Sequence, residues 1–214
     1  MLINLLQRRP WDMVTLVEFA AILVAVAIAI TIHEYAHARS AKSYGDDTAE
    51  SMGRMTLNPV AHYDPIGSTL FLLFGFGWAK PVPVQPYRMR NPRFDGMRTA
   101  LWGPLSNILL ALGCGLVLRA VPGLPPLLSI FMIIVIQLNL FLAIFNLIPL
   151  PPLDGSRIWT YFLPVETANR FERFSQQYGF IVLIILLWFP GSPIMSVVTG
   201  ISGFFIRMVT GPIF

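Results

Sequence analysis

One stretch of this chain joins a membrane-grade apolar run to three ionisable side chains: FAAILVAVAIAITIHEYAH, residues 19–37. The apolar residues up to Ile32 predict a helix that enters a bilayer. The run ends in His33-Glu34-x-x-His37, and residues i and i+4 of a helix share one face about 6 Å apart. Both imidazoles can therefore bind one metal ion. Glu34 points roughly 100° away from His33, where it can handle a water proton.

Ionisable side chains at the end of such a helix are costly and mark a functional site by default. The chain has three histidines, two of which lie in this motif. A chance occurrence has odds on the order of one in a thousand for this length. The alternative is an interfacial helix end whose polar residues simply meet water.

The composition indicates an integral membrane protein. Of the 214 residues, 55% are hydrophobic and 12% are charged, with a mean hydropathy of +0.66, whereas a soluble domain is about one quarter charged. The single cysteine, Cys114, excludes a disulfide framework and a thiolate metal site. The net charge of +4 comes from Arg and Lys in loops, so it concerns membrane topology and not nucleic acid.

The hydropathy pattern predicts an all-α membrane protein, a bundle of four to six transmembrane helices in one domain, residues 1–214. Predicted spans cover residues 13–38, 97–118, 127–147 and 175–190, with 194–209 either a fifth span or an interfacial helix. Residues 39–98 form a loop in which Ser51–Leu57 predicts a strand or short hairpin, and Ile66–Trp78 a re-entrant segment. Residues 149–174 predict a proline-shaped turn and a surface helix.

Positive charges predict the orientation of the chain. The 39–98 loop holds eight of the fifteen Lys and Arg residues and the 149–174 loop holds three. Arg119 is the one positive charge between the second and third spans, and Arg8 and Arg9 argue weakly the other way. The positive-inside rule puts both loops in the cytoplasm and the N-terminus outside. The start of the chain lacks a small-residue cleavage site, so we do not expect a removable signal peptide.

Two histidines leave a zinc site incomplete, because catalytic zinc usually takes three protein ligands. The candidate third ligands are Asp46, Asp47, His62, Asp64, Asp95 and Asp154. Asp154 is preferred because it follows an apolar helix on the correct side, in a turn that would fix its direction. His62 is the main competitor. Asp154 could instead cap a helix, since Gly-Ser-Arg follows it.

Three motifs lie in order along residues 30–160. They are His33-Glu34-x-x-His37, Gly103-Pro104-Leu-x-Asn107, and Asn146-x-x-Pro149 with Leu153-Asp154-Gly155. Together they resemble the site-2 protease family of intramembrane zinc metalloproteases. Loop elements add to the resemblance, namely Gly45-Asp46, Asn58-Pro59 and the stretch from Gly77 to Val84. The chain is most similar to compact bacterial and archaeal members, with no evident PDZ or CBS domain.

The resemblance implies roles for six residues. His33, His37 and Asp154 would bind one Zn²⁺ ion. Glu34 would be the general base that takes a proton from water and passes it to the leaving amine. Asn107 and Asn146 would bind the extended substrate backbone or the oxyanion, roles that suit preplaced side-chain amides. The alternative for both asparagines is helix–helix hydrogen bonding, worth about 1 kcal/mol.

The resemblance also implies the reaction and the setting. The expected activity is hydrolysis of peptide bonds in or near transmembrane segments of membrane proteins, that is, regulated intramembrane proteolysis. The expected partners are these substrates and the lipid bilayer, without nucleic acid; homo-oligomerisation is left open. The expected location is a bacterial or archaeal cell membrane, crossed several times, with the active site toward the cytoplasm.

The sequence argues against three other interpretations. A membrane-anchored protease would need a longer soluble stretch than this chain has. A transporter is disfavoured because no internal repeat appears and the in-span charges concentrate at one cluster. A catalytically silent homologue that binds membrane helices is disfavoured by the intact Glu34 and ligand set. For catalysis, a helical substrate must unwind, and an edge at Ser51–Leu57 could hold it in extended form.

Overall fold

The computed structural model describes residues 13–74, 77–188 and 193–210, and all the regular elements in this part of the chain are helical. The α-helices, in chain order, are α1 (Met13–Tyr44), α2 (Thr48–Ser51), α3 (Pro65–Phe74), α4 (Pro92–Ala120), α5 (Pro126–Asn146), α6 (Asp154–Phe162), α7 (Val165–Trp188) and α8 (Pro193–Thr210). Two short 3₁₀ turns cover Pro59–His62 and Pro86–Arg88. The predicted all-α class is therefore correct.

The helices α1, α4 and α5 form the centre of the fold. Each packs against the other two, and α8 adds to the α4 and α5 side. Buried alanines lie on all three central helices, at Ala29, Ala111 and Ala143. Small side chains let helix backbones approach closely, which is how membrane helices pack.

Three helices among the described residues are long and apolar enough to cross a bilayer: Thr15–Tyr44, Pro92–Ala120 and Pro126–Asn146. The prediction of four to six such spans is therefore corrected. The first half of α7 carries the charged residues Glu166, Arg170, Glu172 and Arg173, which shortens its apolar stretch. In α8, the apolar part is a short segment, Ser196–Met208.

The predicted strand or hairpin at Ser51–Leu57 is wrong. Ser51 closes the short helix α2, and Gly53 turns the chain with a φ of 66°, a backbone region that favours glycine. The Gly53 N–H donates to Glu50 O (2.9 Å) and the Arg54 N–H to Ala49 O (2.7 Å), so these amides end the helix. The segment with loosely alternating apolar residues is therefore the end of a helix followed by turns.

The predicted re-entrant segment, Ile66–Trp78, contains helix α3 and a chain that returns beside it. A Cβ at Gly67 would overlap the Trp78 carbonyl, so the two limbs touch through backbone. After Trp78 the chain runs without helix to Gln85. Three parts of the predictions lie outside the described residues: Arg8 and Arg9, residues 75–76 in this segment, and residues 189–190 at the end of the predicted fourth span.

The end of α5 is joined to α6 by a proline-rich turn containing a cis peptide between Pro151 and Pro152. A Cβ at Gly155 would overlap the carbonyls of Leu147 and Ile148, so only glycine lets α6 start against the end of α5. At its other end, α6 is held by the Arg93 guanidinium, which donates to the main-chain carbonyls of Thr160, Tyr161 and Leu163. One contact fixes the start of α6 and the other holds its end, and Asp154 is its first residue.

Candidate metal centre

Three side-chain atoms lie close together, two from neighbouring turns of α1 and one from the distant start of α6. His33 Nε2 lies 3.0 Å from Asp154 Oδ2 and 3.0 Å from His37 Nε2. His37 Nε2 lies 3.2 Å from Asp154 Oδ2. Both histidines are buried, with 6% and 7% of their surface exposed, and Asp154 is half-buried. The three atoms form a nearly equilateral triangle at the junction of α1 and α6.

Hydrogen bonds on the far side of each ring determine which nitrogen carries the proton. His37 Nδ1 lies 2.8 Å from Thr99 O, and a carbonyl oxygen can only accept, so His37 Nδ1–H is the donor. His33 Nδ1 lies 2.6 Å from Asn107 Oδ1 and donates in the same way. In the neutral rings, both Nε2 atoms therefore present lone pairs to each other and to Asp154.

Asn107 is held so that its oxygen faces His33. Its Nδ2 donates to Ala29 O (3.0 Å) and to Asn139 Oδ1 (2.7 Å), which uses both of its N–H groups. Asn139 in turn donates to Val135 O (2.8 Å). Asn107 and Asn139 are both fully buried. The orientation of His33 is thus determined by a chain of amides that joins α1, α4 and α5.

Three converging acceptors call for a cation. A proton on one nitrogen can bridge two of the atoms, whereas a metal ion binds all three. Zinc with ligands at about 2.0–2.2 Å in tetrahedral geometry places neighbouring ligand atoms roughly 3.3 Å apart. The observed separations of 3.0–3.2 Å are close to this value. Three protein ligands leave a fourth position open, as in catalytic rather than structural sites.

Asp154 presents its side chain to the imidazoles and not to its own helix. Leu153 occupies the N-cap position of α6, and no side-chain cap hydrogen bond is made there. Burial acts to raise the pKa of the Asp154 carboxyl, but in the absence of metal a proton shared at Nε2 gives His37 a positive charge, and this charge with the hydrogen bonds from both imidazoles holds that pKa well below its ordinary value. The group is therefore a carboxylate at neutral pH, the form that binds a cation.

The Gly103-Pro104 pair of α4 makes room for the imidazoles. A Cβ at Gly103 would overlap His37 Nε2 and His33 Cε1, so only glycine lets the α4 backbone lie this close. Pro104 has no N–H and cannot bond Ala100 O, which opens the helix ladder at this level. The carbonyl that accepts from His37, Thr99 O, is one residue earlier.

Glu34 lies beside the cluster without joining it. It is half-buried, and its Oε2 accepts the Val82 N–H at 2.7 Å. The donor belongs to the extended segment after Trp78, which therefore lies next to α1. Glu34 is therefore a carboxylate that lies next to His33 in the sequence but is not one of the three candidate ligands.

The competing ligand candidates are engaged elsewhere in the structure. The buried His62 donates from Nε2 to Thr56 O (3.0 Å), and it is not part of the cluster. Each of the other aspartates has a local partner: Asp46 accepts from Thr48 and Gln85, Asp47 from Arg88, Asp64 from the Gly67 N–H, and Asp95 from the Asn91 N–H.

The two predicted substrate-binding asparagines occupy different positions. Asn107 has no free amide proton and no exposed surface. Asn146 is half-buried at the end of α5, and donates from Nδ2 to Leu142 O (3.0 Å), one turn earlier. Its second N–H and its oxygen bond no described residue. Of the two side chains, Asn146 is therefore the one with hydrogen-bonding capacity left for a ligand.

Comparison with known proteins agrees with this geometry. The profile of "Peptidase family M50" matches residues 124–186, the stretch that contains Asp154. A Bacillus subtilis protein named "Putative zinc metalloprotease YwhC" is 43% identical over 177 residues, which cover 79% of this chain and 80% of that protein. The chain belongs to peptidase family M50, the site-2 protease family.

Two further relatives of this M50 peptidase come from other branches of prokaryotes. "Putative zinc metalloprotease MJ0611" of Methanocaldococcus jannaschii is 34% identical, covering 70% of this chain and 75% of the relative. "Putative zinc metalloprotease Rip2" of Mycolicibacterium smegmatis is 26% identical, covering 80% of this chain and 68% of the relative. No solved structure matches the chain.

Residue reasoning missed two contributors to the site. Asn139 orients Asn107, and the Val82 N–H binds Glu34. The signal for Asn139 was available, since an asparagine in an otherwise apolar span must find a partner. No side-chain pattern could indicate Val82, because its contribution comes from the main chain.

A methyl group at Gly103 tests the close approach of α4. We expect Gly103→Ala to lower bound zinc, measured by elemental analysis of the purified protein, at least tenfold, because the new Cβ displaces both imidazoles. Gly113→Ala is the matched control on the same helix, since a Cβ there meets nothing within 4 Å. Equal zinc content in the two variants would show that the imidazoles do not bind metal where they lie.

The amide chain makes a second prediction. Asn107→Leu removes the acceptor of His33 Nδ1–H, and we expect zinc affinity to fall roughly 10- to 100-fold, the usual effect of losing such a partner. Competition with a chelator measures this affinity. Asn146→Leu, which alters an amide with no contact to the imidazoles, should keep wild-type affinity. Wild-type affinity in Asn107→Leu would refute the orienting role of Asn107.

Proposed function

We propose that this M50 peptidase is an intramembrane zinc endopeptidase that hydrolyses peptide bonds in or near transmembrane segments of membrane proteins. The observation that carries the proposal is the convergence of His33 Nε2, His37 Nε2 and Asp154 Oδ2 within 3.2 Å, beside Glu34. The alternative, a catalytically silent homologue, would not need a carboxylate beside the three ligand candidates that is not itself one of them.

Zinc is the proposed ion, and one ion is bound per chain. Two imidazoles and one carboxylate form a donor set that suits zinc, and relatives from two bacteria and an archaeon carry zinc in their names. When bound, zinc supplies positive charge that polarises the scissile carbonyl and increases the acidity of water. His33 and His37 bind through Nε2, because their Nδ1–H groups are already donating to Asn107 and Thr99.

Glu34 moves the proton in this proposal. Its carboxylate accepts a proton from the attacking water and passes it to the leaving amine nitrogen. Glu34 neighbours His33 in sequence but faces the Val82 segment. A general base must lie within hydrogen-bond reach of the proton it takes, and the position of Glu34 next to the proposed ligand His33 supports this role.

Asn146 is the proposed partner of the substrate backbone or of the developing oxyanion. It ends α5 and precedes the turn to Asp154, and one of its amide protons bonds no described residue. A preplaced amide donor stabilises negative charge on the substrate oxygen during attack. Asn107 acts through His33 and is a positioning residue, since its hydrogen bonds are complete.

The proposed setting is a bacterial or archaeal cell membrane, crossed several times, with the metal centre toward the cytoplasm. The three apolar helices and the excess of Lys and Arg in the loops at residues 39–98 and 149–174 support this orientation. Transmembrane proteins are the proposed substrates, because two of the proposed metal ligands lie on α1, a helix long and apolar enough to cross a bilayer.

Glu34→Gln and Asp154→Ala separate catalysis from metal binding, with His62→Ala as the control. We expect Glu34→Gln to keep zinc and to lower the cleavage rate of a reconstituted transmembrane substrate by roughly 10²- to 10⁴-fold, the usual contribution of a general base. Asp154→Ala should lower zinc occupancy, whereas His62→Ala should not, because His62 lies outside the cluster. Equal cleavage by wild type and Glu34→Gln would contradict the mechanism. Absence of cleavage in zinc-loaded wild type would favour the silent homologue.

A further inference from the structure

The main-chain N–H of Val82 is the donor that holds the proposed general base. It lies 2.7 Å from Glu34 Oε2, and no other described residue donates to this carboxylate. One carboxylate oxygen is therefore occupied, and Oε1 is left without a described donor. The contact joins two segments that are 48 residues apart in the chain.

The local sequence isolates this donor. Val82 stands between Pro81 and Pro83, neither of which has an N–H, so no neighbouring amide can take its place. The same dipeptide repeats immediately as Pro83-Val84, and the Val84 N–H bonds no described residue. Two Pro-Val pairs thus lie in one extended segment, but only the first donates to Glu34.

Contacts before Val82 fix the segment in place. The Lys80 N–H donates to His62 O at 3.0 Å. The Arg54 guanidinium donates to the carbonyls of Lys80 (2.8 Å) and Pro81 (3.3 Å). The peptide unit that carries the Val82 N–H includes the Pro81 carbonyl, so Arg54 restrains its rotation directly.

Contacts at and after Val82 fix it from the other side. The Val82 side chain is 8% exposed and packs with Ala38 of α1 and Ala49 of α2. The Gln85 N–H donates to the buried Asp46 Oδ2 at 2.6 Å. A donor restrained on both sides keeps one position, whereas the free side chain of a glutamate samples many rotamers.

We propose that Val82 is a positioning residue for catalysis, its N–H fixing Oε2 of Glu34 so that Oε1 is the oxygen that exchanges the proton. This inference rests on the proposed peptidase function. Misplacing a catalytic group by about 1 Å can cost on the order of 100-fold in rate. Holding the Glu34 carboxylate in place before the substrate binds is therefore expected to raise kcat. Zinc binding and substrate affinity should not depend on this hydrogen bond.

The repeated dipeptide supplies a matched pair of variants. Val82→Pro removes the N–H that binds Glu34, and Val84→Pro removes an N–H with no described partner, from the same sequence context. We expect Val82→Pro to lower kcat about 10- to 100-fold with KM and zinc content unchanged. Val84→Pro should keep wild-type kcat. Val82→Ala keeps the N–H and should recover most of the kcat lost in Val82→Pro.

Equal kcat in Val82→Pro and Val84→Pro overturns the inference, as does a parallel loss of zinc in Val82→Pro, because then the segment supports the fold and not the base. If Val82→Pro does not fold, Arg54→Ala loosens the Pro81–Val82 peptide without changing that main chain. It should lower kcat several-fold at unchanged zinc content; wild-type kcat overturns the inference.

Hydrogen exchange supplies a readout that needs no substrate. The Val82 amide should exchange faster in Glu34→Ala than in wild type, and the Val84 amide should be unchanged. Equal Val82 exchange rates in the two proteins overturn the inference. This measurement does not involve cleavage, so the two claims can fail separately. A wild-type protein that binds zinc but cleaves nothing contradicts the proposed function. An effect on kcat or on amide exchange that is no larger at Val82 than at Val84 contradicts only this inference.

Discussion

The hydrogen bonds that the two imidazoles make through Nδ1 determine the rest of the site. Because Thr99 O and Asn107 Oδ1 are acceptors, each ring presents a bare Nε2 to the other and to Asp154. Such an arrangement is unfavourable without a cation, and the surrounding structure holds it in place. Glycine on α4, the amide pair across α4 and α5, and the packed start of α6 each fix one side of the centre.

This constraint explains why a small membrane protein contains so much irregular backbone near one place. Gly103 lets α4 pass close to the imidazoles, where a Cβ would collide with them, and Pro104 removes one N–H from the helix at the same level. The proline-rich turn after α5 carries Asp154 into position, and the extended segment around Val82 carries a main-chain donor to Glu34. Unpaired or irregular backbone at membrane depth is tolerated when protein buries it or water reaches it.

Local physics was enough to predict part of this from sequence. Helical spacing brought His33 and His37 together, and the apolar composition indicated an all-α membrane fold. The resemblance to the site-2 protease family is confirmed by the relatives. The proline-shaped turn before Asp154 favours it over His62 as the third ligand, and the structure brings its carboxylate within 3.2 Å of both imidazoles. Its binding of zinc stays a prediction.

Contacts between distant helices and contacts made by the main chain could not be predicted from the sequence. The Asn107–Asn139 pair depends on the register of two packed helices, which no single-segment pattern determines. The prediction of a strand at Ser51–Leu57 is wrong because Gly53, with its positive φ, turns the chain just after the end of a helix. The Val82 contact involves a backbone donor, and side-chain identities carry no information on which amide faces a carboxylate.

X-ray absorption at the zinc K-edge of the purified protein tests the central claim most directly. The account predicts one zinc per chain with two imidazole nitrogens at about 2.0–2.1 Å and a carboxylate oxygen at about 2.0–2.2 Å. A spectrum without imidazole scattering, or a protein that binds no stoichiometric zinc, would contradict the assignment of His33, His37 and Asp154 as the ligands.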